Sequence, residues 1–227
     1  MLRTQRVKPA APYGETLIET GVRMTASLAN LPKRGRPSRR EPIFESALRL
    51  FRERGFHATS INEIGADADV TGPAIYAHFA SKGGLLAEAI REGCQRIASA
   101  LNEALADDDL SPDEALEGFV RAYVRVALEN ADMNACYVLE LRHVHADQRG
   151  PLQRAARRLF DLWREKLTAV RPELGREQAD TMVQMAIFSI VSLCMMPSRI
   201  DRESLVELAS QQVMHGLLGA DPIPTRV

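Results

Sequence analysis

Residues 59–82 read TSINEIGADADVTGPAIYAHFASK, and this stretch decides the fold. Its first half has the pattern of a short helix followed by a turn. Ser60 and Glu63 have the spacing of a capping box, in which each side chain bonds to the backbone N–H of the other residue. This spacing predicts a helix of about two turns that ends near Ala66. Residues 67–70 would then form the turn.

The second half of this stretch carries the start of two further helices. Thr71 has the chemistry of an N-cap and Pro73 falls in the first turn, which predicts a helix that ends near Phe79. Ser81 is the next candidate N-cap and precedes a long amphipathic pattern. On the N-terminal side, apolar residues recur at helical spacing from Glu41 until a glycine interrupts them.

Two short helices joined by a tight turn and braced by a longer helix form the helix-turn-helix arrangement. The second helix of that unit enters the major groove of DNA with its N-terminal residues facing the base edges. The corresponding residues are small, so the backbone can approach the groove closely. The Thr71 hydroxyl can donate or accept, and apolar atoms nearby can contact a thymine methyl. The predicted base-contacting residues are Thr71, Gly72, Pro73 and Ala74.

Other residues of this unit are candidates for contacts with the DNA backbone. Tyr76 and His78 follow on the same helix, within reach of phosphates. Thr59 and Ser60 begin one helix and Lys82 begins another, and a helix N-terminus favours a phosphate oxygen. Phosphate contacts would give an affinity that depends steeply on salt.

A basic segment precedes the helical region. Residues 33–40 read KRGRPSRR, with five basic residues and no acid, and the glycine and proline within it favour an extended chain. Two interpretations are open. The segment is either a solvated linker or an arm that reaches the adjacent minor groove. The arginines that would make the latter contact are Arg36, Arg39 and Arg40.

Composition indicates a soluble, mainly helical protein. Hydrophobic residues make up 45% and charged residues 26%, and the net charge of −1 means that attraction to nucleic acid depends on local clustering. The 3 cysteines lie far apart and lack the spacing of a zinc site. The longest apolar stretch, 182–196, falls short of a membrane span, and no apolar signal-peptide core opens the chain. We therefore expect a cytoplasmic protein with no metal, cofactor or membrane span.

The two segments TSINEIG (59–65) and VTGPAIYAHFASK (70–82) resemble the DNA-binding signature of the TetR family of transcriptional regulators. The resemblance covers about residues 40–88. The chain departs from the family at Gly83-Gly84, where an acidic residue and a helix former are frequent, and we expect a looser helix start there. Gly65 replaces the usual isoleucine, a departure that we interpret as minor.

The resemblance implies an all-α fold with a ligand cavity among the central helices and a homodimer. About nine helices are expected in all. The last two long helices, about 178–196 and 203–218, would pair with a second subunit. The sequence supports this pairing independently, because 178–196 is apolar around most of its circumference. The expected regions are a disordered leader (1–32), a basic arm (33–40), a helix-turn-helix domain (41–85), a ligand-binding and dimerisation domain (86–219) and a tail (220–227). Met24 remains an alternative start.

Large residues on the central helices are candidates to line the cavity, although for each residue taken alone a place in the core is the favoured interpretation. The candidates are Phe119, Tyr123, Tyr137, Leu141, Trp163 and Phe188. Few charges fall among them, which favours a small, largely apolar effector. The segments ELRH (140–143) and RPEL (171–174) look like those of actinobacterial family members linked to lipid or acyl-CoA metabolism. We therefore expect a fatty acyl or acyl-CoA type of molecule.

The expected function is a repressor of transcription that binds double-stranded operator DNA and is released by its effector. An activator, or a regulator that needs its ligand as co-repressor, would have the same sequence features. An all-helical enzyme is a remote alternative, since residues beyond 110 show no catalytic arrangement. His143 and His145 are two positions apart, so on a helix they point to different sides and do not converge on a metal.

Overall fold

The computed structural model describes residues 40–107, 109–219 and 221. Over these residues the chain forms nine α-helices and one 3-10 helix, without strands, so the predicted all-α fold is confirmed. The α-helices are α1 (Arg40–Arg54), α2 (Ile61–Asp67), α3 (Gly72–Tyr76), α4 (Lys82–Ala104), α5 (Pro112–Glu129), α6 (Ala131–Glu140), α7 (Ala146–Val170), α8 (Arg176–Met195) and α9 (Arg202–Gly219). The predicted leader, Arg36, Arg39 and most of the tail lie outside the described residues.

The caps of α1 and α2 form as predicted. Gly55 ends α1 with a φ of 84°, and its N–H donates to the carbonyl of Phe51 at 2.8 Å. At the start of α2, the Glu63 N–H donates to Ser60 Oγ at 3.2 Å, and the Ser60 N–H donates to Glu63 Oε2 at 2.8 Å. These bonds satisfy backbone groups that the helix itself leaves unpaired, so the unit has fixed ends.

The turn between α2 and α3 has the geometry of a Schellman motif. Asp69 adopts a φ of 54°, and the Val70 N–H donates to the Gly65 carbonyl at 2.8 Å. A Cβ at Gly65 would lie 2.7 Å from the Val70 carbonyl oxygen, which is too close. Gly65 is therefore required by the turn, and the interpretation of this departure as minor is wrong.

Helix α3 is shorter than predicted. Thr71 caps it by accepting from the Ala74 N–H at 3.3 Å, but the helix ends at Tyr76 rather than near Phe79. The backbone then turns, and the Phe79 side chain becomes buried among the helices. We infer that burying this apolar ring gains more free energy than another turn of helix would.

Helix α4 begins regularly, contrary to the expected loose start. Ser81 Oγ accepts from the Gly84 N–H at 3.0 Å. A Cβ at Gly83 would lie 2.9 Å from the His143 carbonyl oxygen. The glycine thus permits α4 to pack closely against the 3-10 helix Leu141–His143, which follows α6. The predicted boundary at residue 85 falls inside α4.

The remaining helices surround α5, which packs against α4, α7, α8 and α9. One face of α5 is apolar and buried: Leu116, Phe119, Val120, Tyr123 and Ala127. Helix α6 ends at Glu140, where the chain tightens into the 3-10 helix. The predicted starts of α8 and α9 differ from the observed ones by one or two residues.

Candidate functional site

Most of the predicted DNA-contacting residues of α3 form one exposed edge of the molecule. The exposed residues are Thr71, Pro73, Ala74, Tyr76 and His78. Tyr76, a large residue, is 56% exposed. Ser60 is exposed at the N-terminus of α2. The Thr71 hydroxyl oxygen accepts the capping bond, so its hydrogen remains available for donation. This edge can therefore present donors and apolar atoms to a groove.

The acidic residues of α2 are paired with arginines of α1. Arg54 Nη1 lies 3.2 Å from Glu63 Oε1, and Arg49 pairs with Asp67. Hydrogen bonds from the Ser60 N–H and hydroxyl lower the pKa of Glu63, so this carboxyl is ionised at neutral pH. The arginines compensate its charge and that of Asp67, which reduces the repulsion that a phosphate backbone would meet here.

Two predicted DNA contacts have a structural role instead. Thr59 is buried. Its hydroxyl oxygen lies 3.2 Å from the Leu50 carbonyl oxygen and 3.0 Å from the Gly55 carbonyl oxygen, within hydrogen-bond distance of both. Gly72 is also buried, and a Cβ at this position would overlap the side chain of Asn62. Thr59 thus holds the end of α1, and Gly72 lets α3 pack against α2. The Thr59 side chain does not face the exposed edge.

Lys82, a predicted phosphate contact, makes hydrogen bonds within the protein. Its Nζ donates to the carbonyls of Phe56 at 2.6 Å and Thr59 at 2.7 Å, and lies 4.4 Å from the centroid of the Phe56 ring. Burial lowers the pKa of this ammonium group. Lys82 therefore fastens the start of α4 to the turn between α1 and α2.

Replacing Lys82 with methionine should test this role. The variant keeps an apolar side chain but loses both hydrogen bonds. We therefore expect the free energy of unfolding to fall by about 1–3 kcal/mol and the melting temperature to fall with it. The salt dependence of DNA binding should keep its slope, because no phosphate contact is lost. Lys166→Met on α7 is the matched control and should change neither quantity. A slope reduced by about one in K82M would restore the phosphate assignment.

Arg40 belongs to α1 rather than to an extended arm. Its Nη2 lies 3.2 Å from Glu88 Oε2 on α4, and its guanidinium carbon lies 4.9 Å from the centroid of the Phe79 ring. These contacts brace α1 against α4. Arg40 therefore packs between helices and is not part of a minor-groove arm as predicted. For Arg36 and Arg39 the minor-groove contact stays a prediction.

Three of the predicted effector residues form a buried aromatic cluster. The rings of Phe119 and Tyr123 on α5 meet Trp163 of α7 edge-on, at centroid distances of 5.0 and 5.3 Å. Burial strongly raises the pKa of Tyr123, which keeps its hydroxyl neutral. Trp163 is fully buried, and its Nε1 has no hydrogen-bond partner. A buried N–H without an acceptor is rare in folded proteins.

The other three predicted effector residues are less buried than this cluster. Tyr137 and Leu141 are half-buried, and burial raises the pKa of Tyr137 to about 12. Phe188 is 57% exposed on the outer side of α8, and its inclusion among the effector residues is corrected. Helix α8 buries its opposite side, including Met182 and Ile190, so Phe188 points away from the protomer.

The outer surfaces of α8 and α9, with the loop that joins them, carry large exposed apolar side chains. They are Met185, Phe188, Met195, Met196, Ile200, Leu208 and Leu218. Among the described helices, α8 alone has the length and composition to cross a membrane, and 39% of its apolar window is buried in the protomer. Met185, Phe188 and Met195 lie on one side of α8, because they are three and seven residues apart, and Leu208 and Leu218 are exposed on α9.

A cluster that the sequence analysis missed joins α6 to the helix-turn-helix unit. His143 stacks on Phe56 with centroids 4.7 Å apart, and His57 meets His143 edge-on at 4.5 Å. The carboxylate of Glu140, itself buried, lies 3.3 Å from His143 Nε2. His145, the other histidine of the pair discussed above, is exposed. The sequence could not reveal this cluster, because its members come from segments more than eighty residues apart.

The segment 171–174 also has a structural role. Arg171 is buried, and its Nη1 donates to the carbonyls of Leu217 at 3.1 Å and Leu218 at 3.3 Å, at the end of α9. Leu174 is buried as well. Arg171 therefore caps the end of α9, and Leu174 packs in the core.

Comparison with known proteins places this architecture in one family. The sequence profile described as "Bacterial regulatory proteins, tetR family" matches residues 43–89, which span α1 to the first part of α4. A second profile, described as "Tetracyclin repressor-like, C-terminal domain", matches residues 109–199. The two profiles together cover both the helix-turn-helix unit and most of the larger helical region.

Individual relatives agree with these profiles. The HTH-type transcriptional repressor BdcR of Escherichia coli is 30% identical over 125 residues, which are 55% of this chain and 63% of that protein. A TetR-family regulator from Bordetella parapertussis has a TM-score of 0.71 at 20% identity, covering 83% of this chain and 100% of the other. KstR2 of Mycobacterium tuberculosis has a TM-score of 0.69 at 19% identity, covering 82% and 96%. The chain spans less than two thirds of the length of these curated relatives, and the structural matches show a shared fold. Because the two family profiles together match more than half of the chain, it belongs to the tetR family of bacterial regulatory proteins.

Proposed function

We propose that this chain is a cytoplasmic, dimeric repressor of transcription that binds operator DNA through α3 and is released by a small, largely apolar effector. The exposed edge of α3 carries the proposal. Small residues stand at its N-terminus, Tyr76 and His78 follow, and capped helices hold it rigidly. A helix start of this shape fits a major groove, while the nearby acids are neutralised by arginines.

The exposed apolar surface of α8 and α9 supports pairing with a second copy. Large apolar side chains at helical spacing on a surface mark an interaction site. A two-fold axis through this surface would bring α8 and α9 of each protomer together and set the distance between the two recognition helices. For successive major grooves on one face of DNA that distance is about 34–36 Å.

The buried aromatic cluster supports an effector that carries a hydrogen-bond acceptor. The unpaired Nε1–H of Trp163 costs about 1–3 kcal/mol when it is buried without a partner. A ligand that separates α5 from α7 and brings a carbonyl oxygen to this N–H would remove that cost. The surrounding rings favour an apolar body, and burial keeps Tyr123 neutral.

The chemistry of named neighbours is consistent with this effector class. KstR2 is described as a ketosteroid transcriptional regulator, and AibR was crystallised in complex with isovaleryl coenzyme A and operator DNA. A ketosteroid and an acyl thioester both combine an apolar body with a carbonyl group. We therefore propose a fatty acyl, acyl-CoA or similar carbonyl compound as the effector of this chain.

Selection from a randomised pool of DNA duplexes tests the DNA-binding half of the proposal. The full-length protein should enrich a palindromic sequence whose half-sites lie about one helical turn, or a multiple of it, apart. Its affinity for the selected duplex should fall steeply with salt. A pool that stays random after repeated selection at moderate salt would contradict the proposal.

The fluorescence of Trp163 tests the effector half, because the chain has 1 tryptophan. Suitable probes are palmitate, palmitoyl-CoA and a 3-ketosteroid. The active probe should change the fluorescence over the same concentrations at which it releases the selected duplex. In Trp163→Phe, which keeps an aromatic ring, release should need roughly tenfold more probe. Release without any change in fluorescence would place the effector elsewhere.

A further inference from the structure

We propose that His143 is a positioning residue for the helix-turn-helix unit, and that its protonation loosens this unit and weakens operator binding. The inference rests on the proposed function only in that the chain binds DNA. It concerns the contact between the 3-10 helix Leu141–His143 and the turn that joins α1 to α2. The effector site around Trp163 plays no part in it.

The imidazole of His143 contacts the α1–α2 turn directly. It lies nearly parallel to the Phe56 ring, with an interplanar angle of 5° and a centroid distance of 4.7 Å. The next residue of the turn, His57, meets it edge-on at 83°. The backbone carbonyl of His143 packs against Gly83 in α4. One short segment thus touches both the turn before α2 and the helix after α3.

The Nε2 atom of His143 has two partners that need opposite protonation states. Arg142 Nε lies 3.1 Å away and can only donate, while Glu140 Oε2 lies 3.3 Å away and accepts when ionised. A lone pair on Nε2 accepts from Arg142, whereas a proton on Nε2 would be donated to Glu140. Because the imidazolium carries a proton on both nitrogens, protonation exchanges one partner for the other.

The charges around His143 favour the neutral ring. Burial is the main cause that lowers the pKa of His143, followed by the neighbouring His57, while Glu140 acts in the opposite direction. Arg142 on the same segment and Lys82 on α4 are further positive groups near the ring. A proton on His143 would therefore add charge to a junction with two cations, a second histidine and one carboxylate.

The sign of the pH dependence follows from this lowered pKa. The unfolded chain binds the proton with the ordinary histidine pKa of about 6.5, whereas the folded junction binds it only at lower pH. The stabilisation is therefore fully present above about pH 6.5 and is lost as the pH falls through the lowered pKa. Acidification weakens the arrangement that the neutral ring supports.

The loosened contact would reach α2 and α3 through the turn. Lys82 binds the carbonyls of both Phe56 and Thr59, so a shift of Phe56 disturbs the anchor at the start of α4 as well as the residue before the Ser60 cap. Operator binding needs both recognition helices of a dimer at a fixed separation. If the recognition helices move more freely, a smaller fraction of the dimers has the spacing that fits two major grooves.

The test measures binding of the full-length protein to the selected duplex from about pH 7.5 to about pH 5.5. The comparison uses His78→Asn as the background, because His78 is an exposed histidine on the proposed DNA-facing edge and could contribute a pH dependence of its own. In this background we expect affinity to fall roughly three- to tenfold on acidification. Adding His143→Phe, which keeps a ring on Phe56, should abolish most of that fall. Adding His215→Gln on α9 should leave it intact.

Nuclear magnetic resonance provides a readout that a purely structural role would not change. If neutral His143 supports the bound arrangement, linkage requires that the duplex lower its pKa further. An unchanged pKa on adding duplex, or equal pH profiles with and without His143→Phe, would overturn the inference. Failure of the wild-type protein to bind any selected duplex at about pH 7.5 would instead contradict the proposed function.

Discussion

Replacing Gly65 with alanine should abolish sequence-specific DNA binding and destabilise the helix-turn-helix unit by about 1–3 kcal/mol. The added Cβ would lie 2.7 Å from the Val70 carbonyl oxygen and 3.2 Å from the Gly72 nitrogen. Both are backbone atoms of the turn and of the start of α3, so no side-chain rotation can relieve the overlap. The recognition helix must move away from α2, and its exposed edge loses its fixed orientation.

Gly118→Ala on α5 is the matched control for this variant. Its Cβ would lie 3.9 Å from the nearest atom, the Ala104 carbonyl oxygen, which is an ordinary contact. Alanine inside a helix should stabilise the protein by up to about 1 kcal/mol and leave DNA binding unchanged. Thermal unfolding and titration of the selected duplex measure both effects. If G65A kept its affinity within twofold or so of the wild type, the turn would not require this glycine.

Predictions from sequence succeeded where a structure depends on neighbouring residues. The capping residues Ser60, Thr71 and Ser81 were all identified, because a cap is set by residues within one helical turn. The same reasoning failed for Gly65. Its role depends on the left-handed conformation of Asp69, and the sequence alone allows the turn several geometries.

Side chains whose partners are distant in sequence were predicted less well. Lys82 and Thr59 carry polar groups that could bind a phosphate, but in the folded chain these groups donate hydrogen bonds to backbone carbonyls. Phe188 has the size of a pocket residue, yet the side of α8 that faces the protomer is decided by packing against α6, α7 and α9. Phe119, Tyr123 and Trp163 were predicted as large inward-facing residues of the central helices, and all three are buried.

Replacing Phe188 with glutamate should convert the proposed dimer into a monomer without unfolding it. The side chain is 57% exposed in the protomer, so the substitution removes little from the intramolecular core. In a two-fold interface each change occurs twice, and the two carboxylates would enter an apolar surface that includes Met185. Loss of a large aromatic contact on both sides should raise the dissociation constant of the dimer roughly a hundredfold or more.

Operator affinity should fall with the dimer, because a monomer presents one recognition helix instead of two at a fixed spacing. Sedimentation velocity gives the mass of the variant, circular dichroism its helix content, and titration of the selected duplex its affinity. Val138→Glu on α6 is the control, since Val138 is also a large exposed apolar residue at 44% but lies on another helix. F188E that stays dimeric with normal affinity would exclude α8 from the interface. If V138E dissociated as well, the interface would have to extend to α6.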